Sequence, residues 1–155
     1  MKITRRQLRK MILEHVDDPS TAGDEYIELP DHAASTLQAF GGLDNVLENS
    51  EATTQFIELV LSVDEGRAQS LQYFLRLHAS AIASFRQAIS HAQNDLERAE
   101  SYSWMYRGSG GSYESETQKS VNTAEDKIRS IKLKHGERIS NLRRIIIALR
   151  SQGER

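Results

Sequence analysis

Apolar side chains recur every three or four residues along two long stretches of the chain, a spacing that places them on one face of a helix. In the first stretch, intervals of four and three alternate through Leu71, Leu75, His78, Ile82, Phe85, Ile89, Ala92, Leu96 and Ala99. The second stretch contains Val121, Ala124, Ile128, Ile131, His135, Leu142, Ile145 and Leu149. A 3.5-residue period is typical of helices that supercoil around a partner. We therefore predict two long helices, 62–107 and 115–151, that pair as a coiled coil.

A glycine- and serine-rich segment between the two stretches predicts a sharp turn, because glycine disfavours a continuing helix. We assign residues 108–114 to this hairpin tip. Two capping-box patterns, beginning at Ser62 and Ser115, predict the starts of the long helices. Folding the chain back makes them antiparallel and pairs residues whose numbers sum to about 220, so that Phe85 faces His135.

The two histidines in the apolar seam, His78 and His135, lie at different levels of the predicted hairpin. A shared ligand set is therefore not expected, and we interpret them as polar residues that fix the register of the helices. A pH switch or a metal ligand is the alternative interpretation.

The segment before the long helices divides into a linker and a small helical head. Pro19 and Pro30 punctuate an acidic linker over residues 17–30. Residues 31–61 are predicted to form short helices, separated at Gly41-Gly42 and near Asn49-Ser50. The run 145–149 is apolar on all sides, so we expect it to be wrapped by this head. The fold class is therefore all-α, with a helical hairpin, a small head and an extended N-terminal arm.

Residues 1–16 form the predicted arm, which is basic and amphipathic. Thr4 and Gln7 fit a capping box, and Leu8, Met11 and Ile12 share a face. Cations in the first turns of a helix oppose its dipole, so we expect the arm to bind an acidic surface on a partner or on the protein's own head. Its candidate binding residues are Lys2, Arg5, Arg6, Arg9 and Lys10.

The net charge of −2 over 155 residues conceals strong segregation. Residues 1–16 carry a net +4, residues 17–120 a net −11 and residues 121–155 a net +5. The chain has no cysteine, which excludes disulfides, thiolate metal sites and cysteine nucleophiles. No apolar run reaches the roughly 18 residues of a membrane span, and we expect no membrane partner.

Motifs for catalysis are not found in the sequence. The five histidines lack metal-site spacings, no G-x-S-x-G elbow occurs, and the glycines near Gly108 are not followed by G-K-[ST]. We therefore expect a protein that is not an enzyme and that needs no cofactor or metal.

Aromatic side chains are concentrated at the hairpin tip. Tyr and Trp together with Arg dominate binding hot spots, which makes this segment a candidate partner-binding site; closure of the end of the coiled coil is the alternative. The candidate residues are Tyr102, Trp104, Tyr106, Arg107 and Tyr113. A second candidate surface consists of basic residues that could contact phosphate: Arg129, Lys132, Arg143 and Arg144. Nearby acidic residues make nucleic-acid binding the less favoured reading.

The first fourteen residues, MKITRRQLRKMILE, resemble a leader segment that recurs in structural proteins of large, especially contractile-tailed, bacteriophages. Ile12-Leu13-Glu14 is also similar to the sites that prohead proteases of such phages cleave. The resemblance implies a virion component, assembled in the host cytoplasm, that binds other structural proteins of the same assembly. A homo-oligomer is left open by the residues, because a heptad hairpin can pack alone or add partner helices. The alternative is a small helical protein that is regulatory or associated with nucleic acid.

Overall fold

The computed structural model describes residues 28–152, of which 85% are helical and none lies in a strand. This confirms the all-α class. Within the described part there are five helices, which are α1 (Asp31–Ala39), α2 (Leu43–Glu48), α3 (Ser50–Leu61), α4 (Arg67–Met105) and α5 (Ser112–Ser151). The long helices α4 and α5 pack together. The predicted arm, 1–16, and residues 17–27 of the linker lie outside the described residues.

The chain divides into two compact units. A head unit contains the described residues 28–81 and 139–152, and a two-helix unit contains 82–138. Helices α1 to α3 belong to the head unit together with the start of α4 and the end of α5.

The core of the head unit joins helices that are far apart in sequence. Phe56 and Val60 of α3 share one buried cluster with Phe74 of α4 and with Leu142 and Ile145 of α5. The rings of Phe56 and Phe74 meet edge to face, with centroids 5.7 Å apart. The prediction that other helices wrap the apolar run of α5 is confirmed for Ile145 and Ile146, whereas Ile147 is 65% exposed.

A polar clasp fixes the end of α5 to the junction of α2 and α3. The side-chain amide of Asn141, which is 3% exposed, donates to the carbonyl of Leu47 at 2.8 Å. The guanidinium of Arg144 donates to the hydroxyls of Ser50 and Thr54, each at 2.6 Å. A buried carbonyl without a hydrogen-bond donor is unfavourable. The clasp supplies a donor to the carbonyl of Leu47, in the last turn of the short helix α2.

Helix α3 begins at a strong N-cap, which the apolar periodicity does not indicate. The Oδ1 atom of Asn49 accepts hydrogen bonds from the amides of Glu51 and Ala52, at 3.0 and 3.2 Å. Asparagine is among the best N-cap residues, and α3 therefore starts at Ser50, directly after it.

The predicted start of the first long helix at Ser62 is wrong. Ser62 has helical angles, ends α3, and donates its hydroxyl to the carbonyl of Leu59 at 2.7 Å. Helix α4 starts at Arg67, after Gly66 has adopted a φ of +75°. A Cβ atom at Gly66 would lie 2.5 Å from Cγ of Pro30. Packing between distant segments therefore overrides the local capping pattern.

In the two-helix unit, the buried and half-buried side chains follow the predicted seam. Ala92 is fully buried, and Val121 and Ala124 are less than a tenth exposed. The rings of Phe85 and His135 lie 5.7 Å apart, which confirms that predicted pair. On the outer surface, the ammonium group of Lys127 pairs with the carboxylate of Asp95 at 2.9 Å.

The predicted start of the second long helix at Ser115 is also wrong, because α5 begins at Ser112. Gly110 and Gly111 have φ angles of +63° and +98°, which end the turn, and Ser112 is the first residue after them. Residues 112–114, which we assigned to the tip, therefore form the first turn of α5.

Candidate interaction sites

An exposed aromatic cluster spans the turn between α4 and α5 within the two-helix unit. The end of α4 supplies most of it, and the first turn of α5 supplies one residue. Its members are Tyr102 at 57% exposure, Trp104 at 74%, Met105 at 62%, Tyr106 at 42% and Tyr113 at 65%. Met105 was not among the candidate binding residues that the sequence suggested, although an unbranched apolar residue between aromatics is a usable signal for this role.

Backbone hydrogen bonds fix the turn that carries the cluster. The amide of Arg107 donates to the carbonyl of Trp104 at 3.3 Å, and the amide of Ser109 donates to the carbonyl of Tyr106 at 3.1 Å. The rings of Tyr106 and Tyr113 stack with centroids 6.0 Å apart and planes 19° apart. This stack bridges the two helices, while the side chain of Trp104 remains open to solvent.

The exposed side chains of the cluster lie within twelve residues of the sequence. Each Tyr or Trp carries roughly 150–250 Å² of surface, so the exposed fractions of the four rings amount to about 500 Å². The largest apolar patch on a typical monomer is about 300–600 Å² and is often a binding site. The summed exposed area is of that order, and it is divided between two sides of α4, because residues two apart in a helix, such as Tyr102 and Trp104, do not share a face.

Charged side chains border the cluster on both helices. Arg107 is exposed beside it, and so are the acidic residues Glu100, Glu114 and Glu116. An apolar centre with a charged rim is the usual arrangement of a protein–protein interface.

Three of the four candidate phosphate-binding residues make contacts within the protein, and the fourth, Lys132, is exposed. In the head unit, Arg144 is held in the clasp, and Nε of Arg143 donates to Nε2 of His78 at 3.3 Å. In the two-helix unit, Arg129 pairs with Asp126 at 3.3 Å. Arg129, Arg143 and Arg144 therefore each have a partner within the protein.

Burial and the neighbouring Arg143 both favour the neutral form of His78. Burial lowers the pKa of this imidazole below its usual value, and the neighbouring Arg143 lowers the pKa further. Neutral His78 can accept the hydrogen bond from the guanidinium, whereas a protonated imidazole could not.

Metal-binding groups and membrane-spanning helices are not found among the described residues. Residues 28–152 contain no group of three or more His, Asp or Glu side chains that could hold a metal ion. None of the helices in this part of the chain is long and apolar enough to cross a membrane. The candidate binding residues Lys2, Arg5, Arg6, Arg9 and Lys10 lie outside the described residues.

Comparison with protein-family models, with curated proteins and with solved structures finds no match to this chain.

Proposed function

We propose that this protein is a non-enzymatic structural or assembly protein that binds other components of a larger particle through its aromatic cluster and its N-terminal arm. The exposed aromatic cluster at the turn between α4 and α5 carries the proposal. Tyr and Trp are the residues most enriched in binding hot spots, and leaving several of them in water is unfavourable unless a partner covers them.

The particle that we propose is the virion of a tailed bacteriophage, assembled in the host cytoplasm. Support comes from the resemblance of residues 1–14 to the leader of phage structural proteins. The resemblance concerns a short segment, whereas the aromatic cluster supports binding of a partner independently of it.

We also propose that α4 and α5 form an antiparallel coiled-coil hairpin. The contacting pairs Phe85–His135, Asp95–Lys127 and Tyr106–Tyr113 in the two-helix unit support it, because the numbers of each pair sum to 219–222. In an antiparallel pair of helices, the residue numbers of facing residues have a nearly constant sum. Such a stiff support would hold the aromatic cluster in a fixed conformation, which lowers the entropy lost on binding.

The proposed function predicts that Trp104→Ala reduces incorporation of the chain into particles by about tenfold or more, since truncating a hot-spot residue costs about 2 kcal/mol or more. The matched control is Leu133→Ala, which truncates a side chain that is 70% exposed on α5 of the same unit. Quantitative mass spectrometry of purified particles measures the incorporation of each variant.

Circular dichroism of both purified variants checks that their helix content is unchanged. Equal incorporation of the two variants would contradict a role of the cluster, and absence of the wild-type chain from purified particles would contradict the virion assignment.

A further inference from the structure

The acidic segment, residues 28–66, has the most one-sided charge of any described part of the chain. It carries eight carboxylates and no lysine or arginine. All eight are exposed and lie on or beside α1, α2 and α3: Glu28, Asp31, Asp44, Glu48, Glu51, Glu58, Asp64 and Glu65. A small surface on which carboxylates outnumber cations has a negative potential that favours a cationic ligand.

The helices of this segment add to the same potential. None of α1, α2 and α3 has a basic residue in its last turn. The C-terminal end of a helix carries a partial negative charge that cations normally offset. Arg67, at the border of the segment, donates to the carbonyl of Leu61 at 3.4 Å and pairs with Asp64.

The acidic segment also offers an apolar contact. Leu59 of α3 is 51% exposed, although the neighbouring Val60 is buried in the core. Glu58 precedes it, and Glu51 lies two turns earlier on the same helix; both are exposed. An exposed leucine beside carboxylates is complementary to a segment that has one basic and one apolar side.

We propose that residues 1–16 of the same chain bind this face of the acidic segment. That stretch has five basic residues and one acidic residue, and Leu8, Met11 and Ile12 recur at helical spacing. In the complex, the basic side chains pair with the carboxylates of α3 and with Glu65 in the loop before α4, while the apolar side chains cover Leu59. The charges of the two segments, +4 and −8, are opposite and of comparable size.

The point of attachment favours the chain's own segment over that of a second copy. Gln69 donates to the carbonyl of Glu28, and Pro30 packs against Gly66, so the described chain starts beside the loop that follows α3. Eleven residues separate the arm from residue 28. A chain of that length can bridge roughly 20 Å, and α3 is about 18 Å long. Linkage over such distances corresponds to millimolar effective concentrations.

This contact goes beyond the proposed function, because it gives the arm a binding site before any assembly partner is present. The partner must then displace the arm from the acidic segment, which would restrict docking of the arm to the assembling particle. The aromatic cluster plays no part in this contact, so the two proposals can fail separately.

Zero-length carbodiimide cross-linking of the full-length protein tests the contact. Lys2 and Lys10 are the only lysines before Lys119, so their cross-links report on the arm alone. We expect Lys10 to be joined to carboxylates of residues 51–65. The Lys127–Asp95 pair, 2.9 Å apart, is the internal positive control for the reaction. Cross-linking an equal mixture of light and ¹⁵N-labelled chains separates linkage within a chain from linkage between chains.

Replacing the arginines of the arm tests whether charge attraction holds it on the acidic segment, while Lys10 remains able to react. The variant Arg5→Gln/Arg6→Gln/Arg9→Gln should lower the yield of Lys10 cross-links by roughly five- to tenfold, since each exposed ion pair contributes modestly. The matched control, Arg76→Gln/Arg86→Gln/Arg150→Gln, removes three exposed arginines outside the arm and should leave that yield unchanged.

Three outcomes would overturn the proposal. If the Lys127–Asp95 cross-link is recovered but no cross-link from Lys2 or Lys10 to residues 51–65 is found, the arm does not bind the acidic segment. Arm products of mixed isotope composition would assign the site to a second copy of the chain. An equal loss of yield in the two arginine variants would show a response to total charge alone.

Discussion

At the scale of single residues, buried polar side chains of the head unit determine how its helices are joined. Asn141 contacts the carbonyl of Leu47 across 94 positions of sequence. No periodicity or local motif reveals such a contact, because its partner is a backbone atom of a distant helix. The one available signal is the position of Asn141 directly before Leu142, which belongs to the apolar seam of α5.

We expect Asn141→Leu to lower the free energy of unfolding by about 1–3 kcal/mol, because the carbonyl of Leu47 then remains buried without a donor. Urea denaturation followed by circular dichroism measures this change. The control Asn94→Leu alters an exposed asparagine of α4 and should shift the free energy by less than about 0.5 kcal/mol. Equal effects of the two substitutions would show that the buried hydrogen bond contributes nothing specific.

We expect His78 to make the stability of the head unit depend on pH. Its pKa is lower in the folded protein than the ordinary value of 6.5, so the unfolded chain binds the proton more tightly. The stabilising effect of the neutral imidazole is therefore complete above pH 6.5 and is lost as the pH falls toward the lower folded pKa. We expect His78→Gln to flatten the decline in unfolding free energy between pH 7 and pH 5.

Denaturation curves at several pH values check this expectation. His91→Gln, which alters an exposed histidine of α4, is the control and should retain the wild-type decline. A steep decline that persists in His78→Gln would assign the pH dependence to other groups.

At the scale of elements, the apolar periodicity predicted both long helices, because burial of one face is their main source of stability. Their first residues could not be predicted in the same way. Ser62 has the sequence of an N-cap, yet the contact between Pro30 and Gly66 determines where the chain turns. A capping pattern uses four neighbouring residues, whereas this contact joins segments 36 positions apart.

The proposed register of α4 against α5 predicts which engineered cysteines form a disulfide. Ala99→Cys/Val121→Cys places the pair at a summed number of 220, so mild oxidation should link it efficiently. Ala99→Cys/Ile128→Cys displaces one partner by a heptad, about 10 Å along the axis, beyond the reach of a disulfide. The natural chain has no cysteine that would compete.

Electrophoresis without reductant, together with peptide mapping, measures the yield of each pair. We expect a difference of about tenfold in favour of the first pair. Comparable yields would contradict a single antiparallel register.

At the scale of the whole molecule, charge is distributed by segment. The eight exposed carboxylates of residues 28–66 and the basic residues of 1–16 occupy separate parts of the sequence. The sequence was sufficient to detect this segregation and the aromatic residues near the turn. It could not show that Arg143 and Arg144 are engaged by His78 and Ser50, since those contacts depend on how the head unit packs.

The single tryptophan has a practical consequence for spectroscopy. Trp104 is 74% exposed, belongs to the two-helix unit and lies outside the buried cores. Its fluorescence should therefore already resemble that of tryptophan in water while the protein is folded, and unfolding of the head unit should change it little. A blue shift on mixing with a candidate component would instead report coverage of the aromatic cluster, so the natural chain carries its own optical probe of docking.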